Sequence, residues 1–463
     1  MRLIDCITQL PPTAIVFADS LNKSSAQTLL SEHKQLSDFL VGLGGKSVAL
    51  QLKKNAELAK WLIYLDGLAS KIVLLPPDLE AELNPEQKNT QQSHFIKLAA
   101  CDLLITDTEQ INSVITSVLA DTIRKSNESA ITKSTREIPT EWLVATSGTS
   151  SMPKLVSHTL ESLTVSSLKR VNNSNLVWGL LYDLHRFAGI QVFLQALIGG
   201  NTLVVTESDE SLAIRLKLFA KYRVNCLSAT PTLWRKMLLN SKENLPNLNT
   251  ITLGGETADD TLLKALSEKY PHAKIRHIYA SSEAGVGFSV SDRQAGFPAE
   301  WLVKAPSGIT LRRSDTGTLL IKSAGSAKGY IGTQDFDMSD GFIDTGDLIA
   351  IEDDRCVFKG RLSGGINVGG NKVHPEVVED VLMSFEGVLM AKVSAKSSPI
   401  TGDLVQAEIV IDEGAVSKFT NANNFIQQLR DYCQSKLVRY MVPALIRIVD
   451  DIPVSPSGKI IRR

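Results

Sequence analysis

A repeated strand–helix–strand order constrains the fold more than any other feature of this sequence. Ser47–Leu52 is a short apolar run of strand character. Ala56, Leu58, Ala59, Leu62, Ile63 and Leu65 then recur at helical spacing, and Lys71–Leu75 is a second apolar run, stopped by Pro76-Pro77. Parallel strands need a crossover of this kind, so the unit predicts two parallel strands joined by a helix. The order returns from Thr202. Leu203–Val205 reads as a strand, Leu212–Tyr222 as a helix, and Val224–Leu227 as a strand, with Pro231 opening a further helix. Asn249–Leu253 is again a strand, Asp259–Tyr270 a helix and Lys274–Tyr279 a strand. Such alternation predicts an α/β fold, a large N-terminal domain whose mostly parallel sheets are covered by helices.

After about residue 305 the texture changes. Gly317–Lys322, Leu348–Ile351 and Arg355–Phe358 are short strands, and the last two flank Glu352-Asp353-Asp354, a hairpin signal. A small antiparallel β subdomain is expected here. Gly360–Gly365 is a polar, glycine-rich stretch suited to a hinge. Beyond it, helices near Glu376–Phe385 and Asn424–Lys436 mix with strands at Val388–Ser394, Val405–Ile411 and Leu445–Val449. The expected division is a large domain over 1–360 and a small mobile α+β domain over 361–463. Asn84–Ser93 and Lys125–Arg136 are polar and read as surface loops.

Composition excludes some functions. The 463 residues allow several domains at roughly 100–200 residues each. Lys and Arg number 49 against 50 Asp and Glu, a net charge of −1, which argues against a general nucleic-acid binder. No apolar run approaches the ~18–20 residues that cross a bilayer. The five cysteines are scattered without a CxxC pair, which fits free thiols in a reducing, cytoplasmic compartment. A multidomain enzyme without a membrane span is expected.

Four stretches carry chemistry. Thr146-Ser147-Gly148-Thr149-Ser150-Ser151-Met152-Pro153-Lys154 is crowded with hydroxyls around a glycine and ends on a lysine. Small residues let backbone N–H groups turn toward an anion, and hydroxyls and an ammonium add to the attraction. Gly341–Asp347 would present the Asp347 carboxylate at a turn, where it can accept both hydroxyls of a ribose. Gly369-Gly370, ahead of Pro375-Glu376, permits close backbone approach before a helix start. Pro453–Lys459 places a lysine almost at the end of the chain. Each stretch alone fits an ordinary loop, turn or frayed tail.

In this order, however, they resemble the adenylate-forming superfamily of acyl- and aryl-CoA synthetases, stand-alone adenylation proteins and luciferases. Residues 146–154 resemble its phosphate loop, roughly TSGTTGxPK. Gly254-Gly255-Glu256 is similar to its GGE element, Tyr279–Glu283 to YGxTE, and Thr345-Gly346-Asp347 to TGD. Gly360-Arg361 resembles the GR before the hinge, Gly369–Glu376 the GxKVxPxE stretch, and Ser457–Arg462 the terminal GK motif. An HxxG element fits loosely: His185–Gly189 has one residue too many, which leaves Arg186 in the histidine's place.

The resemblance implies that a carboxylate is joined to ATP, releasing pyrophosphate and leaving an acyl adenylate from which a thiol displaces AMP. It implies that Thr146, Ser147, Gly148, Thr149, Ser150 and Lys154 hold the β- and γ-phosphates. Glu283 would bind Mg²⁺ with help from Thr149, and Ser282 keeps the hydroxyl of the motif's Thr. Tyr279 would stack on adenine near Gly254, Gly255 and Glu256, and Asp347 would hold the ribose with Arg361 beside it. Lys459, exposed until substrate arrives, would bridge the substrate carboxylate and the α-phosphate. Gly369 and Gly370 would floor the tunnel of the acceptor thiol, coenzyme A by preference or the phosphopantetheine of an acyl carrier protein.

The departures from the pattern are Ser151 and Leu155 for glycines of the phosphate loop, Ala280 for the glycine of YGxTE, and Ser363 at the hinge. Asn367 replaces a common Lys, Lys372 reads as an uncommitted surface charge, and His185 as a satisfied core histidine. Other readings remain: an amino-acid-activating protein that uses Asp183 after Tyr182, a luciferase-like oxidative enzyme, and a non-catalytic nucleotide-binding relative.

Overall fold

The computed structural model describes residues 1–77, 94–107, 138–146, 154–167, 176–239, 245–306, 308–332, 338–398, 402–412, 414, 422–455 and 458–461. Alternation along its strands decides the layering. In the strand Ser47–Gln51, Val48 and Leu50 enter one apolar core while Ala49 enters another. Ile72 and Leu74 against Val73, and Trp142 and Val144 against Leu143, repeat the division. A strand with both faces apolar must be covered on both faces, and a parallel sheet satisfies this with its crossover helices.

Two sheets result. In the first, Ser47–Gln51, Lys71–Leu74, Leu103–Thr106 and Glu141–Ala145 run parallel, and Leu155–Thr159 and Gly329–Tyr330 close one side antiparallel. The second, eight-stranded, has Thr202–Val205, Val177–Leu180, Cys226–Ala229, Thr250–Gly254 and Lys274–Ser281 in parallel, with Gly285–Val290 as an antiparallel edge. Helices Asn55–Leu65 and Phe187–Ile198 contribute to the core that both sheets share. Buried Asn55 stitches the layers: its amide donates to the Thr206 carbonyl at 2.8 Å and its oxygen accepts from Leu184 N at 3.1 Å.

The chain start departs from simple sequential order. Ile15–Ala18 crosses to the second sheet and pairs parallel with Thr202–Val205. A third, antiparallel sheet is built from Thr310–Arg313, Thr318–Lys322, Phe342–Glu352 and Arg355–Arg361 with Phe297–Pro298, the small β subdomain expected. Residues 366–448 form a five-stranded sheet with helices Pro375–Met383 and Ala422–Lys436 over a core of their own. Pro375 sits at the first turn of its helix, where a missing N–H costs nothing. The expected loops at 84–93 and 125–136 lie outside the described residues.

Candidate active site

The ends of parallel strands, where ligands collect in open α/β sheets, hold Thr146, the Gly254–Glu256 stretch and the Tyr279–Glu283 stretch. Glu141–Ala145 ends at Thr146, whose N–H donates to the Lys154 carbonyl at 2.8 Å and whose hydroxyl accepts from Lys154 N at 3.2 Å. This pair clamps the two ends of the hydroxyl-rich loop. Ser147, Gly148, Thr149 and Ser150 lie outside the described residues. The Lys154 ammonium stands 4.4 Å from the ring centre of Tyr330, and the Tyr330 hydroxyl donates to Glu283 Oε1 at 3.0 Å. Behind Glu283, His158 is wholly buried and its Nε2 lies 2.7 Å from the Ser282 carbonyl. That carbonyl can only accept, so Nε2 carries the proton, and burial pushes the imidazole below its ordinary value toward the neutral form. The Ser282 backbone is thus held, which fixes where Glu283 begins.

Asp347 is engaged at both carboxylate oxygens. Arg361, its cross-strand partner, donates through Nε to Oδ1 at 2.8 Å, and the Tyr279 hydroxyl donates to Oδ2 at 2.5 Å. Burial first, and then the Asp347 charge, hold the Tyr279 phenol well above its ordinary 10, so it stays a donor. Its ring stacks with Phe288 at 5.2 Å and 14°, and with Phe358 at 5.1 Å and 1°. The expected adenine-stacking residue is therefore also a core aromatic with a polar tip on Asp347.

Gly254 ends its strand with its carbonyl accepting from Tyr182 Oη at 3.3 Å, and Gly255 follows at φ +85°, a conformation that favours glycine. Glu256 faces the tail rather than standing free. One oxygen accepts from Thr232 N at 3.0 Å, in the first turn of helix Pro231–Leu239, and the other from Ile460 N at 3.3 Å. Thr230 Oγ1 donates to the Gly458 carbonyl at 2.5 Å, and Lys236 pairs with Asp451 at 2.7 Å. Gly458 sits at φ +75°, which favours glycine, and a Cβ there would stand 2.4 Å from Leu233 Cδ1 and force that side chain to shift.

Lys459 therefore differs from the exposed lysine that the sequence suggests. It is partly covered, with Cε 3.4 Å from the position of a Gly255 Cβ. Burial lowers its pKa, opposed by Glu256, with the Arg361 charge adding to the lowering. Lys372 also differs from an uncommitted charge: its ammonium donates to the Leu362 carbonyl and its stem covers Gly365. Gly369 and Gly370, at φ +55° and +86°, form the two-residue turn between paired Val368 and Asn371, and a Cβ on either would meet open space. Both left-handed values suit a tight hairpin turn. They lie in that hairpin while Lys459 lies at Gly255.

Asp183 Oδ1 accepts from both His185 N at 3.0 Å and Nδ1 at 2.7 Å, and Arg186 lies 4.0 Å from Oδ2. Asp183 is 5% exposed, and His185 and Arg186 already face the carboxylate that an amino-acid ammonium would need. His185 is buried as expected but only half satisfied, since Nε2 has no partner among the described residues. Sequence reasoning missed Tyr330, His158 and Thr230. Tyr330 follows Gly329 in an otherwise unremarked Gly-Tyr pair, and its pairing with Val156 beside Lys154 comes from sheet topology.

Known proteins resemble this chain along most of its length. The family described as AMP-binding enzyme matches residues 12–331, and that described as AMP-binding enzyme C-terminal domain matches 377–459. The 2-succinylbenzoate–CoA ligase of Listeria monocytogenes serotype 4b is 26% identical over 97% of this chain and 95% of its own length. The 4-coumarate–CoA ligase CCL1 of Humulus lupulus is 26% identical over 68% of this chain and 62% of its own. A plipastatin synthase of Bacillus subtilis is 25% identical over 69% of this chain, which spans 13% of that much longer protein. Among solved structures, the o-succinylbenzoate CoA synthetase of Bacillus subtilis with its acyl-adenylate intermediate superposes with a TM-score of 0.72 at 21% identity, covering 100% of this chain and 97% of that one. ATP-bound MatB of Rhodopseudomonas palustris gives 0.75 at 19% identity, over 99% and 97%.

Proposed function

The chain belongs to the AMP-binding enzyme family, and we propose that it is an AMP-forming acid–thiol ligase that activates an acyl or aryl carboxylic acid and passes it to coenzyme A. The observation that carries the reading is that Lys459 lies over Gly255, next to the Ile460–Glu256 bond and within electrostatic reach of Asp347 and Arg361. Adenylation brings a carboxylate against a phosphate, so it needs positive charge between two anions. Lys459 supplies that charge from a docked tail, and undocking removes it for the thiol step. In this reading 1–360 is the adenylation domain and 361–463 the lid that turns about Ser363–Gly365.

Asp347, oriented by Tyr279 and Arg361, holds the ribose hydroxyls. Thr146 and Lys154 flank the phosphates, with Ser147, Gly148, Thr149 and Ser150 between them. The donor set suits magnesium. Glu283 is a single carboxylate linked to Lys154 through Tyr330, and the described residues hold no group of three or more His, Cys, Asp or Glu placed to hold a metal ion. Magnesium takes few protein ligands and fills its octahedron with phosphate and water oxygens. Bound there by Glu283 and Thr149, it would neutralise charge on the phosphates.

Coenzyme A is favoured over a carrier protein because relatives aligned over nearly the whole chain are CoA ligases. The paired state of Asp183 speaks against an amino-acid substrate. The test is mass spectrometry after incubation with ATP, Mg²⁺ and a mixed pool of carboxylic acids, once with CoA and once with a phosphopantetheinylated carrier protein. An acyl-CoA supports the proposal. Thioester on the carrier alone overturns the acceptor, and no pyrophosphate release with any acid leaves a nucleotide-binding relative.

A further inference from the structure

Tyr330 touches two groups that the proposed reaction uses, and none of the motifs named above includes it. It lies on Gly329–Tyr330, a two-residue strand paired antiparallel with Leu155–Thr159, opposite Val156. The pairing puts it next to the C-terminal end of the hydroxyl-rich loop. Its hydroxyl donates to Glu283 Oε1 at 3.0 Å, and its ring lies 4.4 Å from the Lys154 ammonium. The neighbouring backbone is tied down on both sides. Lys328 N donates to the Ser157 carbonyl at 2.8 Å, Ile331 N to the Leu155 carbonyl at 2.9 Å, and Ala327 N to the Glu283 carbonyl at 2.9 Å.

A carboxylate has two oxygens and about four lone-pair directions. A donor on Oε1 restricts rotation of the carboxylate plane and leaves Oε2 turned away from the tyrosine. The aromatic face attracts the lysine ammonium and holds it over the ring rather than on the carboxylate. Without the ring to hold it, Lys154 would be free to pair with Glu283, and each would neutralise the charge the other should offer to the nucleotide.

Resting on the proposed role of Glu283 as magnesium ligand, we propose that Tyr330 is a positioning residue that orients Glu283 toward the metal while holding Lys154 apart from it for the phosphates. The two jobs use different parts of the side chain and are separable by substitution. Tyr330→Phe removes the hydroxyl and keeps the ring; Tyr330→Leu removes both.

The test compares wild type, Y330F, Y330L, E283Q and Y330F/E283Q. Thermal melting establishes folding, calorimetry measures ATP binding in EDTA and in Mg²⁺, and pyrophosphate–ATP exchange gives the Mg²⁺ midpoint. In Y330F the Mg²⁺ midpoint should rise roughly tenfold, as for a lost hydrogen bond to a charged group, with ATP binding in EDTA unchanged. Y330L should show the same shift and weaken ATP binding in EDTA by a further ~3-fold, the scale of a modest cation–π contact. Y330F/E283Q should be no worse than E283Q alone, because the hydroxyl acts through that carboxylate. A normal Mg²⁺ midpoint in folded Y330F, with E283Q shifted, overturns the role of Tyr330 and leaves the metal site standing. A normal midpoint in E283Q itself overturns the metal assignment, and this proposal falls with it.

Discussion

Lys459 passes so close over Gly255 that a Cβ on the glycine would stand 3.4 Å from Lys459 Cε, while the Gly255 backbone sits at φ +85°. The two features make Gly255→Ala informative. A side chain at left-handed φ is strained by about 1 kcal/mol, and the added methyl presses on the lysine stem. Melting should fall by a few degrees. Adenylation should fall by ~10-fold or more, since a small displacement of a charge-neutralising group is costly. Thioester formation from preformed adenylate should fall much less, because it does not need Lys459 at Gly255. Equal loss in the two half-reactions would separate Gly255 from the lysine.

The lowered pKa of Lys459 gives a pH prediction with opposite signs for docking and chemistry. Burial holds the ammonium below its ordinary 10.5, against the pull of Glu256. Between the lowered value and 10.5, the unfolded chain binds more protons at this site than the folded one. Stability from this group therefore rises as pH climbs through the window. The positive charge needed for adenylation is lost in the same window. Pyrophosphate–ATP exchange, followed as kcat/KM against pH, should show an alkaline limb below the ordinary lysine range, while proteolytic cleavage of the tail slows. Lys459→Arg keeps its charge throughout and should flatten that limb at a lower overall rate. An unaltered limb in the arginine variant would assign the titration to another group.

The layers were legible in the sequence because each strand carries its own instruction: Val48 and Leu50 belong to one core and Ala49 to the other. The motifs, taken in their order along the chain, point to Asp347, Glu283 and Lys459 as candidates. The docked tail was not legible. It rests on Thr230 with Gly458 and on Glu256 with Ile460, partners 228 and 204 residues apart with no local signature. Tyr330 was hidden for the same reason, since its neighbours come from sheet pairing. Gly369-Gly370 illustrates the reverse, a pair whose hairpin turn alone accounts for both glycines.

Tyr279 offers a test that divides ring from hydroxyl. Tyr279→Phe keeps the stack with Phe288 and Phe358 and removes the bond to Asp347 Oδ2. The freed carboxylate loses one of its two orienting donors, a loss of roughly 1.5–3 kcal/mol for a bond to a charged group at full value. The KM for ATP should rise ~10-fold, with kcat nearly constant and melting within a few degrees of wild type. Asp347→Ala should raise it further, and Tyr279→Phe should add nothing in that background. An additive double variant would mean that the hydroxyl contacts the nucleotide independently of Asp347.

The last prediction concerns the turn between the domains. Arg361 to Gly364 close a turn through the Gly364 N–H and Arg361 carbonyl at 3.0 Å, and Leu362 N donates to the Gly346 carbonyl at 2.8 Å. Lys372, from the hairpin beyond, donates to the Leu362 carbonyl and lays its stem over Gly365. It thus ties both sides of the proposed hinge in the orientation that presents Lys459. An exposed hydrogen bond of this kind is worth about 0.5–1.5 kcal/mol, enough to shift a two-orientation balance by several-fold. Lys372→Ala should therefore slow adenylation by ~2- to 5-fold and leave the thioester step from preformed adenylate unchanged or faster, with melting unaffected. Lys372→Arg, which retains a donor and a long stem, should restore most of the adenylation rate. Slower turnover in both half-reactions would make Lys372 a residue of the small domain's own stability, and the Ser363–Gly365 segment would then be free to turn without it.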